Sequence, residues 1–265
     1  MIITIIQYLF ALISGIAVGF SLGLIGGGGS ILAVPLFIYF VGINHPHLAI
    51  GTTALAVGLT AFINFYQHLR KKNVNLKIAP IFALVGVIGV LLGAYVGLKI
   101  KGGQLLFFFS MLMIVIGIYM YISKCRSLPT EDCKELTKQT RYDKVSAFSL
   151  AVGFASGFFG IGGGFLIVPA LLSSTKIKIS MAIGTSLFAV GTFGIVTAAE
   201  YGFHGEVLYL VAIVYVIGGI LGGFFGTKIS VGMNKKLLRK IFAIIIVLVG
   251  IYVAYSSYPA LIHIL

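Results

Sequence analysis

Charged residues are scarce in this chain, and acidic residues are the scarcest. Only 9% of the 265 residues are charged, six are Asp or Glu, and 59% are hydrophobic. So little polar surface cannot cover a water-soluble globule. The net charge of +13 does not indicate nucleic-acid binding, because the 19 Lys and Arg residues lie in short clusters between apolar runs. The sequence therefore predicts a membrane protein that is surrounded by the lipid bilayer and has no nucleic-acid partner.

Two further absences limit the chemistry of the predicted membrane interior. The acidic residues all fall in connections or at helix ends: Glu131, Asp132, Glu135, Asp143, Glu200 and Glu206. A cation pump or a carboxylate proton relay needs buried acidic groups, so this distribution suits an anion instead. The only cysteines, Cys125 and Cys133, share one polar connection and indicate neither a disulfide framework nor a metal site. No cofactor and no metal are predicted.

Apolar runs occur along the whole chain and predict an all-α, polytopic fold. The predicted segments are 2–25, 29–43, 48–67, 76–98, 104–123, 145–160, 164–174, 179–199, 207–227 and 238–258. The second and seventh are short, follow glycine runs and contain Pro35 and Pro169, which predicts broken or tilted helices. The expected organisation is a first transmembrane repeat over 1–123, a polar cytoplasmic linker over 124–144 and a second repeat over 145–265.

The distribution of basic residues predicts the topology. If all ten segments cross the membrane and the amino terminus is outside, the inside connections hold 17 Lys and Arg residues and the outside connections hold two. If the two short segments do not cross, ten of these basic residues lie on one side and nine on the other, which favours neither orientation. The positive-inside rule therefore favours ten crossings of the plasma membrane, with both termini outside.

An internal repeat divides the chain into two halves. The segment VGFSLGLIGGGGSILAVP from Val18 is echoed without a gap by VGFASGFFGIGGGFLIVP from Val152. AIGTT at 49–53 then matches AIGTS at 182–186, and VIGVLLGAYVGLKI ending at Ile100 matches VIGGILGGFFGTKI ending at Ile229. Because each half contains five predicted crossings, an odd number, the second half is expected to be inverted in the membrane, as suits alternating access.

With this doubled motif, the chain resembles the TauE/SafE family of sulfite exporters, whose members carry G-x-G-G-G with a proline five residues on, early in each half. The second copy here is complete, with Gly160, Gly162, Gly163 and Gly164 before Pro169. The first copy has Gly26, Gly28 and Gly29 before Pro35, with Ser30 in the last glycine place. The resemblance covers nearly the whole chain and implies a membrane carrier of sulfite, organosulfonates or related anions.

The glycine runs are the first candidate binding site. Glycines at the start of a short helix leave backbone N–H groups accessible, and the helix dipole adds partial positive charge, so an anion can be held without a buried cation. Residues 26–30 and 160–164 are expected to face each other and bind the anion between them. The alternative reading of these glycines is close helix packing or a hinge, and packing is the preferred reading for the stripes Gly89, Gly93, Gly97 and Gly218, Gly222, Gly226.

Two hydroxyl pairs are the second candidate. Thr52 and Thr53 follow Gly51, and Thr185 and Ser186 follow Gly184. These hydroxyls could donate hydrogen bonds to an oxyanion, or they could bond backbone carbonyls of their own helices. The sequence leaves both readings open.

The predicted function is a secondary transporter that moves a small anionic substrate by alternating access. An anion channel on the same scaffold is the principal alternative, because the sequence does not exclude a continuous pore. A membrane-embedded enzyme is disfavoured, since Ser30 and Ser186 have no histidine partner at membrane depth and no carboxylate pair is available there. The sequence leaves the oligomeric state, the direction of transport and the coupling ion undetermined.

Overall fold

The computed structural model describes residues 3–25, 27–122, 142–160, 162–175, 177, 179–229 and 235–258. Within these ranges the fold is entirely helical, and no strand occurs. The α-helices are α1 Ile5–Ile25, α2 Ala33–Pro35, α3 Pro46–Arg70, α4 Ile78–Lys99, α5 Gly102–Ile122, α6 Tyr142–Phe159, α7 Gly164–Ser174, α8 Ile179–Phe203, α9 Tyr209–Ile229 and α10 Lys235–Ser257. A 3-10 turn over Gly27–Leu32 precedes α2, and a π-helical turn over Leu36–Phe40 follows it.

Seven of these helices are long and apolar enough to cross a membrane. They are α1, α3, α4, α5, α8, α9 and α10, and many of their apolar side chains are exposed where lipid would replace water. α6 is 18 residues long, but it begins with Tyr142, Asp143 and Lys144, which lower its mean hydropathy. The observed bounds agree with the predicted segments to within four residues. α6 therefore begins inside the predicted linker 124–144, of which 124–141 lies outside the described residues.

The two short segments differ in regularity. The short segment of the second half, α7, is an α-helix of 11 residues with Pro169 inside it. At 1.5 Å per residue it is about 16 Å long, roughly half of a hydrocarbon core of about 30 Å. The first consists of the 3-10 turn, α2 and the π-helical turn, and the change to π geometry follows Pro35 directly. A proline lacks the N–H of the regular ladder, which explains the change of geometry after Pro35, whereas α7 continues through Pro169 to Ser174.

Helices of the two halves interleave. α1 packs on α9, α4 on α6, α3 on α8 and α5 on α10, so each of these eight helices has its principal partner in the other half of the chain. Of the long helices, α3 and α8 are the most buried. They form the centre of the bundle, and the short segments pack beside them.

The predicted role of the glycine stripes in packing agrees with their contacts. Added Cβ atoms on the α4 stripe (Gly89, Gly93 and Gly97) would meet the carbonyl oxygens of Leu150, Phe154 and Phe158 in α6. Those on the α9 stripe (Gly218, Gly222 and Gly226) would meet the carbonyl oxygens of Leu12, Ile16 and Phe20 in α1. The missing side chains allow the backbones to approach closely, as in other helix pairs of membrane proteins.

The same glycine contacts show which residues of α4 and α9 correspond to each other in the two halves. This correspondence differs from the one that the sequence match gives. The gap-free repeat pairs Ile16 with Leu150, and the structure places Gly222 on Ile16 and Gly89 on Leu150. Gly89 thus corresponds to Gly222, whereas the sequence match pairs it with Gly218. A stripe that repeats every four residues aligns with itself after a shift of one helical turn, so sequence similarity alone selected the wrong register here.

The close glycine contacts fix the relative helix directions. α1 and α9 are parallel, because Gly15 meets Tyr215 and Gly23 meets Gly223. α4 is likewise parallel to α6. α3 and α8 are antiparallel, since Gly51 near the start of α3 meets Tyr201 near the end of α8.

Candidate functional site

The second glycine run forms the amino-terminal cap of α7. Gly160, Gly162 and Gly163 have φ angles of 66°, 69° and 63°. This left-handed backbone favours glycine. The amides of Leu166 and Ile167 donate to the Gly163 carbonyl over 2.9 and 3.1 Å and begin the helical ladder. The N–H groups of the residues just before Leu166 therefore lie in the first turn of α7. A helix offers donors and partial positive charge to an anion there.

This run lies deep in the bundle. A Cβ on Gly162 would be 3.0 Å from Val190 and 3.7 Å from Val57. Each valine is the twelfth residue of a 25-residue helix, α8 and α3 respectively. A Cβ on Gly160 would meet Ile50 of α3. Gly162 is thus level with the middle of the two central helices, Gly160 is nearer the start of α3, and Gly164 is buried where α7 begins.

The first glycine run has a different local structure. Gly26 lies outside the described residues, and Gly28 and Gly29 are in the 3-10 turn. Gly29 and Ser30 are buried, and a Cβ on Gly29 would be 2.6 Å from the Ser21 Cβ. The 3-10 turn packs against α7, so the two short segments adjoin each other.

The first hydroxyl of each predicted pair joins helices of opposite halves. Thr52 Oγ1 in α3 accepts a hydrogen bond of 2.9 Å from the Leu208 amide just before α9. Thr185 Oγ1 in α8 accepts one of 2.9 Å from the Asn75 amide just before α4. We call these two contacts the threonine clasps. Both threonines are buried, and the clasps are equivalent in the two halves.

The second hydroxyls bond their own helices in this conformation. Thr53 Oγ1 donates toward the Ala49 carbonyl at 2.7 Å, and Ser186 Oγ donates to the Ile183 carbonyl at 2.7 Å. A hydroxyl has one proton, so neither group can donate to an anion without rotating away from its carbonyl.

Two serines that the sequence analysis did not select lie beside the glycine runs. Ser21 and Ser156 are buried, and their hydroxyl oxygens have no hydrogen-bond partner among the described residues. A Cβ on Gly163 would be 3.0 Å from the Ser156 Cβ and 3.4 Å from its Oγ. The available sequence signal was a polar residue inside an apolar helix, one or two turns before each run.

The part of the chain that the structure describes contains no group of three His, Cys, Asp or Glu side chains that could hold a metal ion. Its acidic residues are Asp143 in the first turn of α6, Glu200 in the last turn of α8, and Glu206 in the following connection. The partial positive charge at the deep glycine turn comes from the backbone amides at the start of α7.

Comparison with known proteins identifies the scaffold. The family profile described as "Sulfite exporter TauE/SafE" matches residues 11–253. The chain belongs to the TauE/SafE family. It is accordingly an integral membrane protein of a membrane transporter family.

Relatives of this TauE/SafE protein cover nearly its whole length. A probable membrane transporter protein of Xylella fastidiosa is 45% identical over 251 residues, which is 94% of this chain and 95% of the relative. The probable membrane transporter protein YunE of Bacillus subtilis is 26% identical over 270 residues, with coverage of 95% and 98%. One of Methanocaldococcus jannaschii is 27% identical over 270 residues, with coverage of 93% and 96%. No solved structure matches the chain significantly.

Proposed function

We propose that this protein is a secondary carrier that moves sulfite or a related sulfur-containing anion, such as an organosulfonate, across the plasma membrane. The observation that carries the proposal is the glycine turn at the amino end of α7, which lies between Val57 and Val190 at mid-height of α3 and α8. A buried helix amino terminus of this kind attracts an oxyanion. The family description, sulfite exporter, supplies the substrate class.

The charge distribution supports an anionic substrate. The described acidic residues lie at helix ends or in a connection, so no described carboxylate repels an anion at the depth of Gly162. Backbone amides provide attraction without the cost of burying Lys or Arg. The carrier needs no cofactor, and its partners in this proposal are the small anion and the surrounding lipid.

Ten membrane crossings are part of the proposal. α6 and α8 both run parallel to α4, because Gly89 meets Leu150 while Gly86 and Gly97 meet Phe193 and Tyr201. α7 must therefore bring the chain back between α6 and α8. By equivalent contacts α1 and α3 both run parallel to α9, so the first short segment also returns the chain. With the basic residues inside, this count leaves both termini outside and the halves inverted.

The threonine clasps support alternating access. One ties the start of α3 to the connection before α9, and the other ties the start of α8 to the connection before α4. Because α3 and α8 are antiparallel, the clasps lie at opposite ends of the central pair. In the proposed cycle one end opens while the other stays closed, so that the anion never meets a continuous pore.

The first test is thermal unfolding of the purified protein with sulfite, thiosulfate, sulfate, small organosulfonates and carboxylates. A ligand at 100 times its dissociation constant should stabilise the protein by about 2.7 kcal/mol. Flux of the stabilising anion is then measured in proteoliposomes across a concentration series. Saturable flux supports the carrier, and flux that rises linearly indicates the channel instead. The substrate proposal is wrong if no sulfur oxyanion shifts unfolding or crosses the membrane.

A further inference from the structure

Two of the four hydroxyls expected to serve the substrate donate elsewhere, and two other serines lie beside the glycine runs. Thr53 and Ser186 donate to carbonyls of their own helices. Ser21 in α1 and Ser156 in α6 are 6% and 0% exposed, and neither hydroxyl has a partner among the described residues. Burying a polar group without a partner costs free energy, so such groups often mark a place where a ligand completes the hydrogen bonding.

Two other buried serines satisfy their hydroxyls, whereas Ser14 of α1, like Ser21 and Ser156, has no partner among the described residues. Ser149, two turns before Ser156 on the same side of α6, donates to the Phe82 carbonyl of α4. Ser110 of α5 donates to the Phe107 carbonyl at 2.6 Å. A membrane serine commonly finds a carbonyl within one turn. Ser156 has no such partner among the described residues, and its side chain lies beside Gly163.

The geometry around Ser156 combines two kinds of donor. Its Oγ is 3.4 Å from the place where a Cβ on Gly163 would stand, and Gly163 caps the 11-residue helix α7. The amides of the first turn of α7 therefore begin beside a buried hydroxyl. An anion with several oxygens on one centre can accept from the amides through one oxygen and from the hydroxyl through another.

The first half contains a similar serine, although not at the same alignment position. In the gap-free repeat, Ser21 aligns with Ala155 and Ser156 aligns with Leu22. Each half thus carries one serine, in its first helix, beside its own glycine run. The Ser21 Cβ is 2.6 Å from the position of a Cβ on Gly29.

We propose that Ser156 is a substrate-binding residue whose hydroxyl donates a hydrogen bond to an oxyanion held at the amino-terminal amides of α7, and that Ser21 supplies the corresponding hydroxyl beside Gly29. The proposal rests on the proposed anion-transport function. It favours an anion with several oxygens on one centre, as sulfite and sulfonates have, because a monatomic halide offers one centre to donors that lie in different directions.

The test compares Ser156→Ala with Ser149→Ala on the same helix. Methanesulfonate and sulfite are titrated against the thermal unfolding of each purified protein, with chloride as the reference salt. Ser156→Ala should raise the dissociation constants of both anions about tenfold, as expected for one lost hydrogen bond to a charged ligand. Its melting temperature without ligand should equal or exceed that of wild type, since the change removes a hydroxyl that bonds to none of the described residues. Ser149→Ala should melt earlier, because the Phe82 carbonyl loses its donor, and should bind both anions like wild type.

Further variants keep the outcome decisive. Ser21→Ala should also weaken binding, whereas Ser110→Ala should not. If Ser156→Ala does not fold, Ser156→Cys replaces it and should show a smaller loss of methanesulfonate affinity, since a thiol is a weak donor. Wild-type affinity in the Ser156 variants would overturn this inference and leave the transport proposal intact. If wild type itself binds neither anion, both proposals fail.

Discussion

At the scale of single residues, Gly163 combines a backbone requirement with a packing requirement. Its φ is 63°, and a Cβ there would be 3.0 Å from the Ser156 Cβ. Gly205 offers a comparison, because its φ is 75° and an added Cβ would meet nothing within 4 Å. Alanine substitutions at the two positions therefore separate the free-energy cost of a left-handed backbone from the cost of filling the candidate site.

We therefore expect Gly163→Ala to be more destabilising than Gly205→Ala. The backbone alone should cost each variant about 1 to 2 kcal/mol, and Gly163→Ala adds crowding against Ser156. Unfolding in detergent measures this difference. Gly163→Ala should also lose its stabilisation by sulfite, while Gly205→Ala should keep it. Equal unfolding and equal sulfite responses would show that the glycine at 163 serves neither packing nor binding.

At the scale of helices, the glycine stripes set how closely the two halves approach. A Cβ on Gly222 would collide with the Ile16 carbonyl, which belongs to rigid helix backbone. A Cβ on Gly202 of α8 would meet the Tyr209 hydroxyl at 3.0 Å, which is the mobile end of a side chain. The same substitution is thus expected to have opposite consequences in two helices.

Gly222→Ala should destabilise the protein by about 1 to 3 kcal/mol, because α1 and α9 must separate. Gly202→Ala should be neutral or stabilising by up to about 1 kcal/mol, through the higher helix propensity of alanine. Chemical denaturation of both variants in the same detergent tests this. If both respond alike, the stripe is not a close-packing surface.

At the scale of the whole molecule, the number of crossings decides which connections share a side of the membrane. Between Lys72, after α3, and His204, after α8, the chain contains α4, α5, α6, α7 and α8. If α7 crosses, these two residues lie on opposite sides. If it does not, they lie on the same side.

Single cysteines at these positions test the proposed topology, in a background where Cys125 and Cys133 are replaced by serine. Both positions are exposed. A membrane-impermeant thiol reagent added to intact cells should label His204→Cys and spare Lys72→Cys, and permeabilised cells should label both. Lys101→Cys, after α4, is the matched control and should behave like His204→Cys. Labelling of Lys72→Cys and His204→Cys on the same side would contradict ten crossings.

The sequence by itself determined the membrane environment, the helix positions and the family. Each of these depends on composition or local periodicity, which tertiary contacts do not alter: a run of about 20 apolar residues is a spanning helix whatever its neighbours are. The glycine-rich cap of α7 was also visible, because Gly160, Gly162 and Gly163 adopt a backbone that few other residues tolerate.

Only the tertiary structure decided which polar groups are already bonded and which are not. Thr52 and Ser156 look alike as hydroxyls in apolar helices, yet Thr52 accepts from the Leu208 amide, and Ser156 lies beside Gly163 with no partner in the part of the chain that the structure describes. The register of α4 and α9 was likewise beyond the sequence, since a stripe of glycines at every fourth position aligns equally well after a shift of one turn. Both depend on contacts between different helices, such as Thr52 with Leu208 and Ile16 with Gly222, and local sequence does not encode them.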